Sequence, residues 1–369
     1  MPEIGIVIKN LFKIFGANAS HYLNALAGGM TKAELNERHG LVLGLNNVSI
    51  DMAAGQIQVI MGLSGSGKST LIRHINRLVE PTAGQIMVGG RDVLGLDEQA
   101  LRAFRRNATA MVFQKFALLP HRNVLENTLY GLEIKGGDRN TNRDKALRWI
   151  SRVGLNGFEH RYPNQLSGGM QQRVGLARAL ASDAPILLMD EAFSALDPLI
   201  RSDMQDMLRD IQQEVKKTIV FITHDLDEAL KLGDQIAILR NGEVIQQGSS
   251  QDIVLRPADE YVASFVKDVN RGRILRVDAI MTRPDPATAL PTCVVSAEAT
   301  LHAAGKLLCQ QGGNESVVVD AHGRPLGRVT KDQIMAAMIG YGGVWGEESG
   351  TSVSSFRPKF YPANERAKF

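Results

Sequence analysis

Cysteine is almost missing from this chain. Cys293 and Cys309 are the only two among 369 residues, too few and too badly spaced for a zinc knot or a disulfide framework. They read as reduced, partly buried thiols. Long apolar runs are missing as well: no stretch approaches the roughly 20 apolar residues that cross a bilayer. The opening MPEIGIVIKN has no basic segment followed by an apolar core, so it does not read as a secretion signal. An excess of one charge sign is absent too. Lysine and arginine total 42 against 39 aspartates and glutamates, a net charge of +3, and no dense basic block stands out. A surface that coats nucleic acid is therefore not indicated. Any service to a membrane has to come from the cytoplasmic side, through partners.

Apolar residues make up 44% and charged residues 22%, the balance of a globular protein, and the length suggests two domains. From 1 to about 270, short apolar runs alternate with helical periodicity, which argues for an α/β core. Candidate strands are Ile57–Met61, Thr109–Phe113, Ile186–Met189, Thr218–Thr223 and Gln235–Leu239. A helix is expected over 68–79, with Leu71, Ile72, Ile75, Leu78 and Val79 on one face and Arg73, Asn76 and Arg77 on the other. Asn241-Gly242 reads as a hairpin turn. Residues 17–44 interrupt the first strands. Thr31 followed by Glu34 forms a capping box there, so a helical insertion is expected. A second, smaller unit is expected over 275–340: a helix at Glu298–Gln310 with Leu301, Ala304, Leu307 and Leu308 as its apolar stripe, strands at Ser316–Asp320 and Leu326–Thr330 around a His322-Gly323 turn, and a helix at Lys331–Ile339. Over 341–369 the composition shifts to Gly, Ser, Pro and charge, the mark of a disordered tail.

Chemistry enters with Gly62-Leu63-Ser64-Gly65-Ser66-Gly67-Lys68-Ser69-Thr70. It matches the phosphate-binding pattern G-x-x-x-x-G-K-[ST] and lies between a candidate strand and a candidate helix, where that pattern has to lie. Glycines let the backbone curl so that its N–H groups converge on phosphate oxygens, and the following helix aims its positive end at them. Lys68 would reach the β- and γ-phosphates and Ser69 would ligate magnesium. A chance match has odds on the order of one in fifty in a chain this long, before the context is required. Next, Ile186-Leu-Leu-Met-Asp190-Glu191 is an apolar strand ending in two acids, suited to the carboxyl edge of a parallel sheet. Asp190 would hold the metal, and Glu191 would polarise an attacking water. Alone it could be a strand followed by solvated acids; beside the phosphate loop it gains weight. Finally, Ser167, Gly168 and Gly169 open a helix whose apolar face runs Val174, Ala177, Leu180 and Ala181. Ser167 caps it and the glycines leave its first N–H groups bare, a second anion site.

With these three motifs the chain resembles the ABC transporter ATPase family. The family's LSGGQ signature appears as LSGGM, Leu166 to Met170. The resemblance adds Gln114 as the glutamine that links metal and water to a transmembrane partner. It also adds Ser194-Ala195-Leu196-Asp197 as the D-loop of the dimer seam, His224 as the histidine that contacts the γ-phosphate, and Phe15 as the aromatic that stacks on adenine. It covers residues 5 to about 268. It implies a P-loop NTPase fold with a RecA-like core and a helical subdomain over about 115–180, and it makes 1–270 the ATPase domain. ATP and Mg2+ are the implied ligands, the metal held by Ser69, Gln114 and Asp190. It implies a homodimer with ATP between the loop of one copy and Ser167–Gly169 of the other, docked on integral-membrane permease subunits at the cytoplasmic face of the inner membrane.

The insertion, the stretch MDEAFSALDPLIR at 189–201 and the C-terminal appendage resemble more narrowly the ATPases of importers for quaternary amine osmoprotectants: glycine betaine, proline betaine or choline. An extracytoplasmic substrate-binding protein is implied as an indirect partner. Residues 279–339 resemble one CBS motif, notably Val317-Val318-Val319-Asp320, Gly327–Thr330 and Asp332, which makes 275–340 a small α+β CBS-like regulatory domain. Such motifs come in tandem pairs, and this chain shows one clear copy. The rival readings are the ATPase of another transporter, or a soluble relative acting in DNA repair or translation. Against the latter stand a single cassette and only 52 residues between Gln114 and Ser167, without heptads.

Overall fold

The computed structural model describes residues 4–282 and 293–339. The expected tail at 341–369 lies outside them, as does 283–292 within the CBS-like stretch. The chain divides into two compact units, Met1–Asn270 and Arg271–Phe369, so the second begins four residues before the expected 275. Among the described residues no helix is long and apolar enough to cross a membrane.

The first unit holds strands β1 (Ile6–Phe15), β2 (Val42–Met52), β3 (Ile57–Met61), β4 (Ala83–Val88), β5 (Arg91–Asp92), β6 (Thr109–Phe113), β7 (Ile186–Asp190), β8 (Thr218–Thr223), β9 (Gln235–Arg240) and β10 (Glu243–Gly248). They form two sheets. One has the order β10-β9-β3-β8-β7-β6, parallel except for β10, which returns antiparallel to β9. Every residue of β3, β7 and β8 is buried, as their unbroken apolar runs require of strands covered on both faces. The other sheet, β2-β1-β4-β5, is antiparallel throughout. Helix Lys68–Ile75 lies in the core that both sheets share: Leu71, Ile72 and Ile75 pack with Ile8, Leu45 and Ile50 of one sheet and Ile60, Leu188 and Val220 of the other.

That helix is shorter than the expected 68–79. Arg77 has φ 52, which a right-handed helix does not accommodate. Arg105 donates from Nε to the Asn76 carbonyl at 2.9 Å and from Nη2 to that of Arg77, holding the chain out of helical register. Leu78 is consequently exposed and Asn76 buried, the reverse of the helical-wheel assignment. The hairpin at Asn241-Gly242 does form, with φ 54 and 87, the left-handed pair that a type I′ turn needs.

The segment after β6 is largely helical. Val124–Lys135, Arg139–Arg152 and Gly168–Ala181 pack on one another. The insertion carries short helices at Leu23–Ala27 and Lys32–His39. Thr31 and Glu34 make the capping box, with Glu34 N donating to Thr31 Oγ1 at 3.2 Å and Thr31 N to Glu34 Oε2 at 2.9 Å. The insertion has its own small core of Leu26, Leu35 and Leu41 against Ile14 and Leu43. Residues 42–44, assigned from sequence to the insertion, belong to β2.

The second unit contains β11 (Val294–Ser296), β12 (Glu315–Val319) and β13 (Pro325–Thr330). β11 runs parallel and β13 antiparallel to the central β12. Helices Leu301–Gln311 and Lys331–Ile339 pack on each other and bury Leu301, Ala304, Leu308 and Ile334.

Candidate active site

The carboxyl ends of the parallel strands gather the chemistry. β3 runs into the turn 62–67 and then into helix Lys68–Ile75, so the loop stands between a buried strand and a helix start. Gly62, Gly65 and Gly67 have φ of 153, 77 and 106, all in the region that favours glycine. At two of them space forbids a side chain as well: a Cβ on Gly62 would stand 2.3 Å from the Leu239 carbonyl oxygen, and one on Gly67 would stand 2.6 Å from that of Gly44. Lys68 folds back over the loop, its Nζ donating to the carbonyls of Gly62 at 2.8 Å and Leu63 at 3.0 Å. Burial lowers the pKa of this ammonium, and Glu191 and Asp190 oppose that shift. Leu63 and Ser64 are exposed, Ser66 is buried and Thr70 partly so. The Ser66 hydroxyl is buried without a partner.

Asp190 ends β7 and is almost fully buried. Its Oδ1 accepts from Ser69 Oγ at 2.8 Å, and its Oδ2 from Arg73 Nη2 at 3.2 Å. Arg73 is therefore part of the site while remaining exposed on the polar face of its helix. Its spacing from Lys68 gave no sign of this, because Asp190 comes from another strand. Among the described residues no group of three or more His, Cys, Asp or Glu side chains could hold a metal. A hydroxyl and one carboxylate side by side still fit magnesium, a hard ion that takes few protein ligands and keeps water and phosphate oxygens around it.

Glu191 follows at φ 48, a left-handed backbone unusual for glutamate and of the kind concentrated at functional sites. Its N–H donates to the Ile222 carbonyl at 3.2 Å, which ties the turn to β8. Three side chains from distant parts of the sequence meet its carboxylate. Lys68 Nζ lies 3.8 Å from Oε1, Gln114 Nε2 donates to Oε2 at 3.3 Å, and His224 Nδ1 lies 3.6 Å from the same Oε2. Gln114 also reaches Ser194 Oγ at 3.3 Å.

The segment Ser194–Asp197 is fastened to the segment after β8. Arg201 donates to Asp225 Oδ2 at 3.2 Å and to the Leu196 carbonyl at 3.2 Å, and Asp225 caps the helix Leu226–Leu232. Asp197 caps Pro198–Val215 through Ile200 N at 3.1 Å. Sequence reasoning found Asp197 and His224 but missed Arg201, a long side chain whose partners are carbonyls and a residue on another helix.

Phe15 ends β1 and is 40% exposed. Gly44 of β2 lies under its ring: a Cβ there would come within 2.7 Å of Phe15 Cε2. Since the Gly44 carbonyl also packs on Gly67, one residue separates the ring from the phosphate loop. Ser167 accepts from Met170 N at 3.3 Å as the cap of Gly168–Ala181. Ser167 and Gly168 are exposed and Gly169 partly so. This helix start is not hydrogen-bonded to the phosphate loop of its own chain among the described residues, and it faces solvent, open to a second molecule.

A family model described as ABC transporter matches residues 45–194. The glycine betaine transport ATP-binding protein OpuAA of Bacillus subtilis is 53% identical over 282 residues, 76% of this chain and 68% of its own length. The glycine betaine/proline betaine transport system ATP-binding protein ProV of Escherichia coli is 45% identical over 335 residues, 91% of this chain and 83% of its own. The trimethylamine N-oxide transport system ATP-binding protein TmoW of Pelagibacter ubique is 43% identical, with 91% and 97% covered. Among solved structures, the dimeric bacterial ABC transporter cassette MJ0796 superposes with a TM-score of 0.57 at 33% identity, over 66% of this chain and 98% of that one. A second structure of the same cassette is a post-hydrolysis state bound to ADP and Pi.

Proposed function

The chain belongs to the ATP-binding subunits of ABC transporters, and from that premise we propose that it hydrolyses ATP to drive import of a quaternary amine osmoprotectant such as glycine betaine, proline betaine or choline. The convergence of Lys68, Gln114 and His224 on the carboxylate of Glu191 is the observation that carries the catalytic part. Identity to ProV along 91% of the chain supports the substrate class.

In this reading, the N–H groups of 62–70 and the Lys68 ammonium hold the β- and γ-phosphates, while the Phe15 ring stacks on adenine. Ser69 and Asp190, with Gln114, would hold Mg2+, which when bound would supply neutralising charge at the phosphates. Gln114 and Glu191 orient a water, and Glu191 accepts its proton as the water attacks the γ-phosphorus. His224 donates toward the γ-phosphate, where charge develops. Two copies pack head to tail, and the bare helix start at Ser167–Gly169 of one meets the γ-phosphate held by the other. The dimeric relative and the exposure of Ser167 support this arrangement. Closure excludes water and strengthens every contact inside. Loss of phosphate removes the shared ligand, and the dimer opens. The helical segment between Gln114 and Ser167 docks integral-membrane permease subunits at the cytoplasmic face. An extracytoplasmic binding protein selects the amine with an aromatic cage. The second unit acts as a CBS-like regulatory module.

Co-purification from membranes in mild detergent, followed by reconstitution in vesicles, tests this. ATP turnover should rise when binding protein loaded with glycine betaine, proline betaine or choline is supplied. Stimulation by trimethylamine N-oxide alone would move the substrate to that of the TmoW relative. Turnover indifferent to all of these amines would overturn the substrate assignment.

A further inference from the structure

The loop between Gln114 and Asn123 is anchored by side chains that the phosphate chemistry does not use. Phe116 and Ala117 stand side by side in the left-handed region, at φ 53 and 48. Two adjacent non-glycine residues persist there only where their surroundings enforce it. Arg178, in the body of helix Gly168–Ala181, does so: Nη1 donates to the Ala117 carbonyl at 2.7 Å and Nη2 to the Phe116 carbonyl at 3.1 Å. A guanidinium presents its N–H groups as a fixed fork, so both carbonyls must follow it. The loop lies close on this helix. A Cβ on Gly175 would stand 3.6 Å from the Phe116 oxygen, and one on Gly168 would stand 3.7 Å from the Phe116 ring. Arg178 is half-buried, and burial works against its charge.

Farther along, Asn127 is fully buried and grips the same loop. Its Oδ1 accepts from Leu119 N at 2.8 Å, and its Nδ2 donates to the carbonyls of Leu119, Arg122 and Asn123 at 3.1, 2.8 and 3.0 Å. Residues 116–123 are thus mechanically part of the helical layer. Gln114, two residues upstream, touches Glu191 and Ser194. The helix that carries Arg178 begins at Ser167, which in the dimer meets the partner's nucleotide.

We propose that Arg178 is a positioning residue that couples the two ATP sites of the dimer, passing displacement of the helix that starts at Ser167 to Gln114 and so to Glu191 of its own subunit. This rests on the dimer reading above. Nucleotide held by one copy shifts the helix of the other; the fork carries Phe116 and Ala117 with it, and Gln114 is re-aimed at Glu191. Each site thereby senses occupancy of its twin, which is a coupling free energy between sites.

The test uses the reconstituted full-length complex with wild type, Arg178→Met and Arg178→Lys. Steady-state ATPase against ATP concentration gives the Hill coefficient. Equilibrium binding of a fluorescent ATP analogue gives the affinity, and thermal melting reports the fold. Wild type is expected above one. Arg178→Met should fall to about one with analogue affinity within about twofold. Arg178→Lys keeps the charge and reaches one carbonyl, so it should fall between, and it decides the matter if the methionine variant does not fold. A folded Arg178→Met with wild-type cooperativity, or a wild type without cooperativity, overturns the coupling. Failure of wild type to bind ATP would instead overturn the functional reading on which it stands.

Discussion

At the scale of single residues, Glu191 is where the demands conflict. Its backbone is left-handed, which costs roughly 1–3 kcal/mol for a residue with a side chain, and its carboxylate sits among an ammonium, an amide and an imidazole. Glu191→Gln keeps shape and hydrogen bonding but removes the proton acceptor. We expect single-turnover hydrolysis to fall by about a hundredfold or more, with ATP binding intact and a nucleotide-loaded dimer accumulating on gel filtration. Hydrolysis at the wild-type rate would remove Glu191 as the base. Lys68, Ser69, Asp190 and Glu191 were picked out by short patterns in the sequence, whereas Gln114 and His224 entered only through the family resemblance. Arg73, Arg178, Arg201 and Asn127 were found by neither. The arginines reach partners on other elements, and no local spacing encodes a contact made across the fold; Asn127 bonds to backbone groups of the irregular loop just before it, whose course no periodicity gives.

At the scale of elements, the central parallel strands were readable to within one residue, because a strand buried on both faces shows as an unbroken apolar run. The antiparallel sheet was harder. β1 and β2 are separated by the insertion, and β1 is irregular in register at Ile8/Leu11 and beyond, which blurs a two-residue alternation. β11 has three residues, too few for any period. Helix Lys68–Ile75 ended early because Arg77 takes a left-handed backbone, a turn that Arg105 fastens through the carbonyls of Asn76 and Arg77. The turn before that helix supports a sharper expectation. Gly67→Ala would place a methyl 2.6 Å from the Gly44 oxygen at φ 106. It should destabilise by about 1–3 kcal/mol, read as a lower midpoint in chemical denaturation, and abolish measurable ATP binding. Unaltered binding would mean the loop can widen without loss.

For the whole molecule, the decisive fact is the division after Asn270. The core clusters around Ile60 and around Leu35 are drawn entirely from residues before that point. A chain ending at Asn270 should therefore fold cooperatively and bind ATP about as well as the full protein, within about threefold by calorimetry. Loss of the folded state in the truncated chain would show that the second unit completes the first. Which amine is carried was beyond the reach of sequence patterns for a physical reason: the motifs that could be read are built to hold a nucleotide, and function has to be argued from the site that touches the ligand.

Gly44 sits pinched between the Phe15 ring and the turn at Gly67. It acts as a shim whose thickness is one stretch of bare backbone. The span from ring to turn is therefore set by the thickness of one glycine backbone, and in the proposed reading that thickness spaces a purine on the ring from the phosphates in the turn. A single methyl at position 44 would meet the Phe15 ring at 2.7 Å and so change that gauge.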